Sequence, residues 1–244
     1  MNPNHWIFLS PHLDDVTLSC GGLVWDLARQ GARVEIWTIF AGYPSNEDFS
    51  EFAQQNHRSW GKTGVEAIDM RRAEDINACH LLDAQPRHFS WPDVIYRRHP
   101  DTGQPVVNNN DELFHAPPES ILISTIAQTL SQEISPETTL VLPMGLGGHL
   151  DHRAVVEVGK QLNRIDYYYA DYPYILWNFV SPLLTDAVYQ KIPRPLIEDA
   201  LYAWGEAILC YASQLSSFWD NEEQTWLALR NYLAGGGGRL WIIR

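Results

Sequence analysis

Two short apolar runs in this chain, Trp6 to Ser10 and Thr138 to Pro143, each give way to a cluster of imidazole and carboxylate side chains. The first is followed by Pro11-His12-Leu13-Asp14-Asp15 and then by a helical stripe, Leu18, Leu23, Val24 and Leu27, that stops at Gly31. The second leads into Gly148-His149-Leu150-Asp151-His152 and a helical stretch, Arg153 to Leu162. A buried strand feeding a helix, repeated along the chain, is the pattern of α/β proteins. It predicts an α/β fold: a Rossmann-like, mostly parallel sheet flanked by helices, built as one domain over residues 1–244. Both clusters then fall at the carboxyl ends of strands, where open α/β sheets build their sites.

The remaining pattern fills in this frame. Arg33 to Phe40 reads as the second strand and Ile68 to Leu82 as a helix. Between them the polar and aromatic stretch Glu47 to Gly64 reads as a lid or a short helix. Weak strand signals occur at Arg87 to Phe89 and at Val94 to Tyr96, and the turn-rich stretch Arg97 to His115 reads as a surface excursion. A helix from Pro117 toward Leu130 precedes the second cluster, and Tyr167 to Tyr172 reads as a strand after it. Helical patterns over Ile197 to Phe218 and Thr225 to Leu233 lead to four glycines, which return a terminal strand from Arg239 to Ile243.

Composition narrows the partners. Thirty acidic against 17 basic side chains give a formal charge of −13, which disfavours a nucleic-acid backbone or an anionic membrane. The chain carries neither a signal-peptide pattern nor an apolar stretch long enough to span a bilayer, so no membrane insertion is expected. Cys20, Cys79 and Cys210 are far apart, odd in number and without a CxxC pair, which predicts buried free thiols in a reducing, cytoplasmic setting. A homo-oligomer is left open.

The two clusters together supply enough imidazole and carboxylate for one metal ion plus a spare acid and base. His12 and Asp15, three apart, converge on one ion if their turn is tight, with Asp14 left to face the metal's water. His149 and His152 have the same spacing, so one can bind metal while the other reaches substrate. Asp151 can accept from an imidazole N–H and fix its tautomer. Each cluster alone has a plainer explanation: Asp14 or Asp15 as a helix cap, and His-x-x-His as coincidence. Their equivalent placement after two strands favours the chemical reading. Gly145-Leu146-Gly147-Gly148 lacks the lysine and hydroxyl of a nucleotide-binding loop.

Pro11-His12-Leu13-Asp14-Asp15 resembles the Pro-His-Pro-Asp-Asp-Glu signature of the PIG-L/LmbE family of zinc-dependent N-acetylglucosaminyl deacetylases. Gly148-His149-Leu150-Asp151-His152 is similar to that family's second motif, usually His-Pro-Asp-His. Met70-Arg71-Arg72-Ala73-Glu74 resembles its Arg-x-x-Glu helix, and Tyr211-Ala212-Ser213-Gln214 a tyrosine and glutamine segment near its end. The likeness spans most of the chain. It implies a Rossmann-like sheet and removal of an acetyl group from an N-acetylated amino sugar or its conjugate, with Zn2+ or another divalent transition metal as cofactor. By motif position, His12, Asp15 and His152 match the metal ligands and Asp14 the general base. His149 matches the histidine that assists as acid or stabilises the intermediate, Asp151 its orienting partner, and Arg71 an arginine that touches substrate. Three departures stand out: Leu13 and Leu150 replace prolines, and Val16 replaces the terminal glutamate of the first motif.

Other residues carry weaker expectations. Trp37, Tyr43, Trp60, Trp91 and Trp177 are candidates to stack on a sugar, with core packing favoured for any single ring. His57 is a candidate to approach the crevice, and Asp171 to line a pocket at a strand end. Two rival functions stay in view: an amidase of a non-sugar acyl amine, and a non-catalytic binding protein on the same scaffold.

Overall fold

Alternation along the central strands sets the layers. In a computed structural model describing residues 5–176, 189–192 and 196–243, the first strand, β1 (His5–Ser10), sends Ile7 and Leu9 into one apolar cluster and Trp6 and Phe8 into another. β2 (Arg33–Thr38) divides the same way, with Trp37 on the first face and Val34 and Ile36 on the second. Both faces are therefore covered, as a parallel sheet requires. Helix α1 (Asp15–Arg29) joins these strands, followed by α2 (Glu51–Trp60), α3 (Gly64–Leu81) and β3 (Gln85–His88). The chain continues through α4 (Asn110–His115), α5 (Ser120–Glu133), β4 (Thr139–Pro143), α6 (Leu150–Leu162) and β5 (Tyr167–Tyr169). The last elements are β6 (Tyr189–Ile192), α7 (Glu198–Leu209), α8 (Ala212–Leu215), α9 (Glu222–Ala234) and β7 (Leu240–Ile243).

The strands form one sheet in the order β3-β2-β1-β4-β5-β7-β6. The first five are parallel, and β7 runs antiparallel to both of its neighbours. The chain lays strands outward from β1 on one side and then from β4 on the other. The order reverses between β1 and β4, and the crevice that such a reversal opens lies at their carboxyl ends. The expected α/β, mostly parallel sheet and the returning terminal strand are both present. None of the described helices is long and apolar enough to cross a membrane.

Several local expectations need correction. Val94 to Tyr96 is a 3-10 turn, buried with Phe52, Ile68, Val106 and Val107 in a third apolar cluster. The stretch from Arg97 to His115 is largely exposed, as a surface excursion is, but Arg97, Val106, Val107 and Leu113 are buried and α4 lies within it. Glu47 to Gly64 resolves into helix α2, whose Ser50 hydroxyl accepts from the Ala53 N–H. The strand expected from Tyr167 to Tyr172 stops at Tyr169, because Asp171 turns inward to accept from the Leu146 N–H and to meet His152. Helix α6 begins at Leu150 rather than Arg153, since the His149 imidazole Nδ1 caps it by accepting from the Asp151 N–H. The family-motif departures are packing residues. Leu13, Val16 and Leu150 are each at most 2% exposed, and Val16 lies in the apolar cluster beneath α1.

Candidate metal centre

The turn after β1 is tied by its own backbone. The Asp14 N–H donates to the His12 carbonyl at 3.0 Å, and the His12 N–H donates to Asp15 Oδ2 at 2.7 Å. The Ser10 hydroxyl donates to the His12 carbonyl at 2.7 Å and accepts from the Val16 N–H at 3.3 Å. These bonds bring His12, Asp14 and Asp15 to the mouth of the crevice. From the other side, the α6 cap presents His149, and the first turn of α6 presents Asp151 and His152. The rings of His12, His149 and His152 meet with centroids 4.8–5.4 Å apart.

Each of two imidazoles has one nitrogen anchored by a carboxylate and the other turned to a common point. His152 donates from Nδ1 to Asp171 Oδ1 at 2.6 Å, and His12 donates from Nε2 to Asp151 Oδ2 at 3.1 Å. In each neutral ring this leaves the opposite nitrogen with a lone pair, the arrangement that orients metal-binding histidines. His152 Nε2 is buried and has no hydrogen-bond partner, although it lies 3.3 Å from Asp15 Oδ1. His12 Nδ1 lies 3.3 Å from Asp15 Oδ2. Donor atoms bound tetrahedrally at zinc distances sit roughly 3.3 Å from one another. His12 and His152 thus each face one oxygen of Asp15, and the three side chains are of the donor types a divalent cation takes. The trios whose donor atoms all lie within 4.8 Å of one another are, among the described residues, His12, His149 and His152, and His12, Asp93 and Asp151. In the latter Asp151 is already committed to Arg97, and in the former His149 Nδ1 serves the helix cap.

The field at this point favours positive charge. Burial opposes protonation of His12, yet Asp93, Asp15 and Asp151 hold it well above its ordinary value. Burial likewise opposes His152, but Asp15 and Asp171 raise it to about 9. His149 is driven the other way, well below the usual range, by burial and then by His12 and His152. Burial and the neighbouring Asp15 carboxylate push Asp14 up to about 7, against the pull of Arg71 and His12.

Of the residues singled out by sequence, His12, Asp14, Asp15, His149 and Arg71 line one cavity of about 230 Å³, whereas Asp151 and His152 are not among its lining residues. Arg71 is buried, its Nε lacks a hydrogen-bond partner, and its guanidinium lies 3.9 Å from Asp14 and over the Trp60 ring. Asp151 is engaged differently from the sequence expectation. Its carboxylate holds His12, the Val94 N–H and Arg97, whereas the hydrogen bond to His149 comes from its backbone N–H. Among the stacking candidates Trp60 lines the cavity, Trp37 is buried core, and Tyr43 is 40% exposed and bonded to Asp69. Trp91 stacks on Phe89, and Trp177 lies outside the described residues. His57 packs behind the wall with its Nε2 2.8 Å from the Tyr96 hydroxyl.

Three participants were not found by sequence reasoning. Asp93 lines the cavity 3.7 Å from His12, and Arg97 grips Asp151 at 2.6 Å. Tyr174 sets its ring edge against His152, 5.3 Å between centroids. Its seat depends on Gly147, which has φ 76° and where a Cβ would fall 2.5 Å from the Tyr174 ring. The glycine run of 145–148 was a visible signal for such a close approach; nothing comparable marks Asp93 or Arg97.

A family model described as PIG-L, GlcNAc-PI de-N-acetylase, matches residues 7–163. A 2'-N-acetylparomamine deacetylase of Niallia circulans is 29% identical over 239 residues, covering 90% of this chain and 84% of that protein. A crystal structure of a deacetylase-bog complex in the biosynthesis pathway of teicoplanin superposes with a TM-score of 0.77 at 25% identity, covering 99% of each chain. The A40926 pseudoaglycone deacetylase Dbv21 superposes with a TM-score of 0.73 at 26% identity, over 100% of this chain and 98% of that one. The matched segment runs from β1 to the end of α6 and so carries both clusters, and the chain belongs to the PIG-L family.

Proposed function

We propose that this chain hydrolyses the acetamide of an N-acetylated amino sugar or its conjugate, releasing acetate and the free amine, with zinc as the cation. The observation that carries the reading is the pair of imidazoles whose free nitrogens both face the Asp15 carboxylate at 3.3 Å, with Asp14 beside them. Membership in a deacetylase family and relatives named as deacetylases of 2'-N-acetylparomamine and of an antibiotic pseudoaglycone support it. His12, Asp15 and His152 would hold the ion. A divalent cation there supplies Lewis-acid polarisation of the amide carbonyl and lowers the pKa of water. Zinc suits the two-nitrogen, one-carboxylate set, which other divalent transition metals also accept. Three free cysteines favour a reducing, cytoplasmic setting.

The chain's own groups divide the remaining work. The Asp14 carboxylate accepts one proton as the water oxygen bonds to the acetyl carbon. His149 Nδ1 accepts from a backbone N–H, so the neutral ring carries its proton on Nε2, as a donor to the developing oxyanion. When the C–N bond breaks, the proton held by Asp14 passes to the leaving nitrogen, giving amine and acetate. Asp151 and Asp171 act through the imidazoles they fix, and Arg71 offers its guanidinium to sugar hydroxyls at the cavity wall.

The test is acetate release from N-acetylglucosamine conjugates by the zinc-loaded chain, with the primary amine quantified in parallel. We expect equal amounts of both, loss on chelation and return with zinc. A zinc-loaded chain that cleaves only simple acetamides overturns the sugar assignment, and an inert one overturns the enzyme. Asp171→Asn should weaken zinc binding about 10- to 100-fold by removing the charged acceptor of His152. Competition with a chromophoric chelator measures this, and unchanged affinity removes Asp171 from the centre.

A further inference from the structure

The cavity at the metal centre does not end there. Asn110, Phe114, Tyr172, Pro173, Ser217 and Phe218 form a shared wall with a second chamber of about 960 Å³ that runs on to Trp219 and Tyr232 of the α8–α9 region. The two chambers differ sharply in chemistry. The inner one carries His12, Asp14, Asp15, Arg71, Asp93 and His149. The outer one has no charged side chain among its described wall residues; its polar groups are the amides of Asn110 and Asn231, the Ser217 hydroxyl, the Trp219 indole N–H and two phenols. In a chain of net charge −13, a chamber whose described walls carry no charge, beside three carboxylates, is a chemical contrast that a ligand can read.

Its aromatic surface is fixed in place. Tyr172 and Trp219 stack with centroids 6.0 Å apart, and Tyr172 and Tyr232 meet at 4.8 Å. Phe218 and Trp219 tilt together at 5.5 Å, both half-buried, so ring surface is left facing the chamber. The Tyr172 N–H donates to the Ser19 hydroxyl at 3.0 Å and the Tyr232 hydroxyl to the Ser19 carbonyl at 3.3 Å, which anchors the floor to α1. Ordered rings with neutral hydrogen-bonding groups between them bind flat or aliphatic bodies. A polyamine in the same place would be desolvated with no counter-charge among the described wall residues.

Resting on the deacetylase reading, we infer that the outer chamber receives the aglycone, and that the substrate is an amino sugar carried on a neutral aromatic or aliphatic body rather than on a second cationic sugar. The acetamide and sugar ring then occupy the inner chamber.

The test uses the zinc-loaded full chain and three probes: free N-acetylglucosamine, an aryl N-acetyl-β-glucosaminide, and 2'-N-acetylparomamine. One well-placed ring contact is worth enough to predict that the aryl conjugate exceeds the free sugar about tenfold in kcat/KM, mainly through KM. The aryl conjugate should also exceed 2'-N-acetylparomamine. Trp219→Ser should bring the aryl-to-free-sugar ratio toward one, and Phe218→Ser does the same at the shared wall should the first variant not fold. A wild-type ratio near one, or 2'-N-acetylparomamine as the best of the three, overturns the inference. Calorimetric binding of the same probes separates this from the reaction itself. With no acetate released from any probe, tighter binding of the aryl conjugate still supports the chamber, and equal affinity overturns it.

Discussion

Replacement of Asp14 by asparagine is expected to lower turnover by roughly 10²- to 10⁴-fold while the metal content stays at that of the wild-type chain. Asparagine keeps the shape of the side chain but cannot take a proton. Asp14 makes none of the 3.3 Å approaches that join His12, Asp15 and His152, so its loss leaves the donor set intact. Its proton affinity, raised to about 7 by burial and then Asp15, suits a group that must both accept and return a proton near neutrality. Removing that like charge from beside Asp15 relieves repulsion but also takes away the counter-charge of the buried Arg71 guanidinium, so the two effects on stability oppose each other. Metal-to-protein stoichiometry and acetate release, measured on one preparation, check both halves. Metal lost together with activity would make Asp14 a ligand, and retained activity would remove it as the base.

The second large effect concerns Arg97. Arg97 is 7% exposed, and its guanidinium bonds Asp151 at 2.6 Å and Glu119 at 2.9 Å. Arg97→Met keeps much of the length and removes the charge, leaving the fully buried Asp151 without its cation. Breaking a buried pair from one side costs about 3–5 kcal/mol. At roughly 2–4 °C per kcal/mol for a chain of this size, Tm should fall by about 6–20 °C in calorimetry. Zinc affinity should fall as well, because Asp151 holds the Nε2 side of His12. A Tm unchanged within a degree or so would show that Arg97 contributes neither to folding nor to the posture of His12.

The parts of this architecture that were legible in the sequence are those written in local order. An apolar strand, a polar turn and an amphipathic helix follow one another within about thirty residues at each cluster, so β1–α1 and β4–α6 could be read directly. Asp93 and Arg97 could not be, since they sit in a stretch of proline, arginine and turn residues with no periodicity. Arg97 is held by Asp151 and Asp93 faces His12, each partner more than fifty positions away along the chain. The equal spacing of His12–Asp15 and His149–His152 also concealed a difference. His149 caps a helix while His152 lies inside its first turn, and only the start of α6 at Leu150 separates those roles. Asp171 was visible as a carboxylate at a strand end, but its hold on His152 depends on the chain turning inward after Tyr169. Among the tryptophans, sequence could not distinguish Trp37 in the core from Trp60 at the cavity, because both are large rings in mixed surroundings.

The reversal of strand order between β1 and β4 also bears on how the proposed site is assembled. His12, Asp14 and Asp15 follow β1, whereas His149 and His152 follow β4, and the two strands are neighbours in the sheet. Under the proposed metal reading, the two halves of the ion's nest face each other only with β4 docked beside β1, so the ion and that strand pairing should be lost together on unfolding.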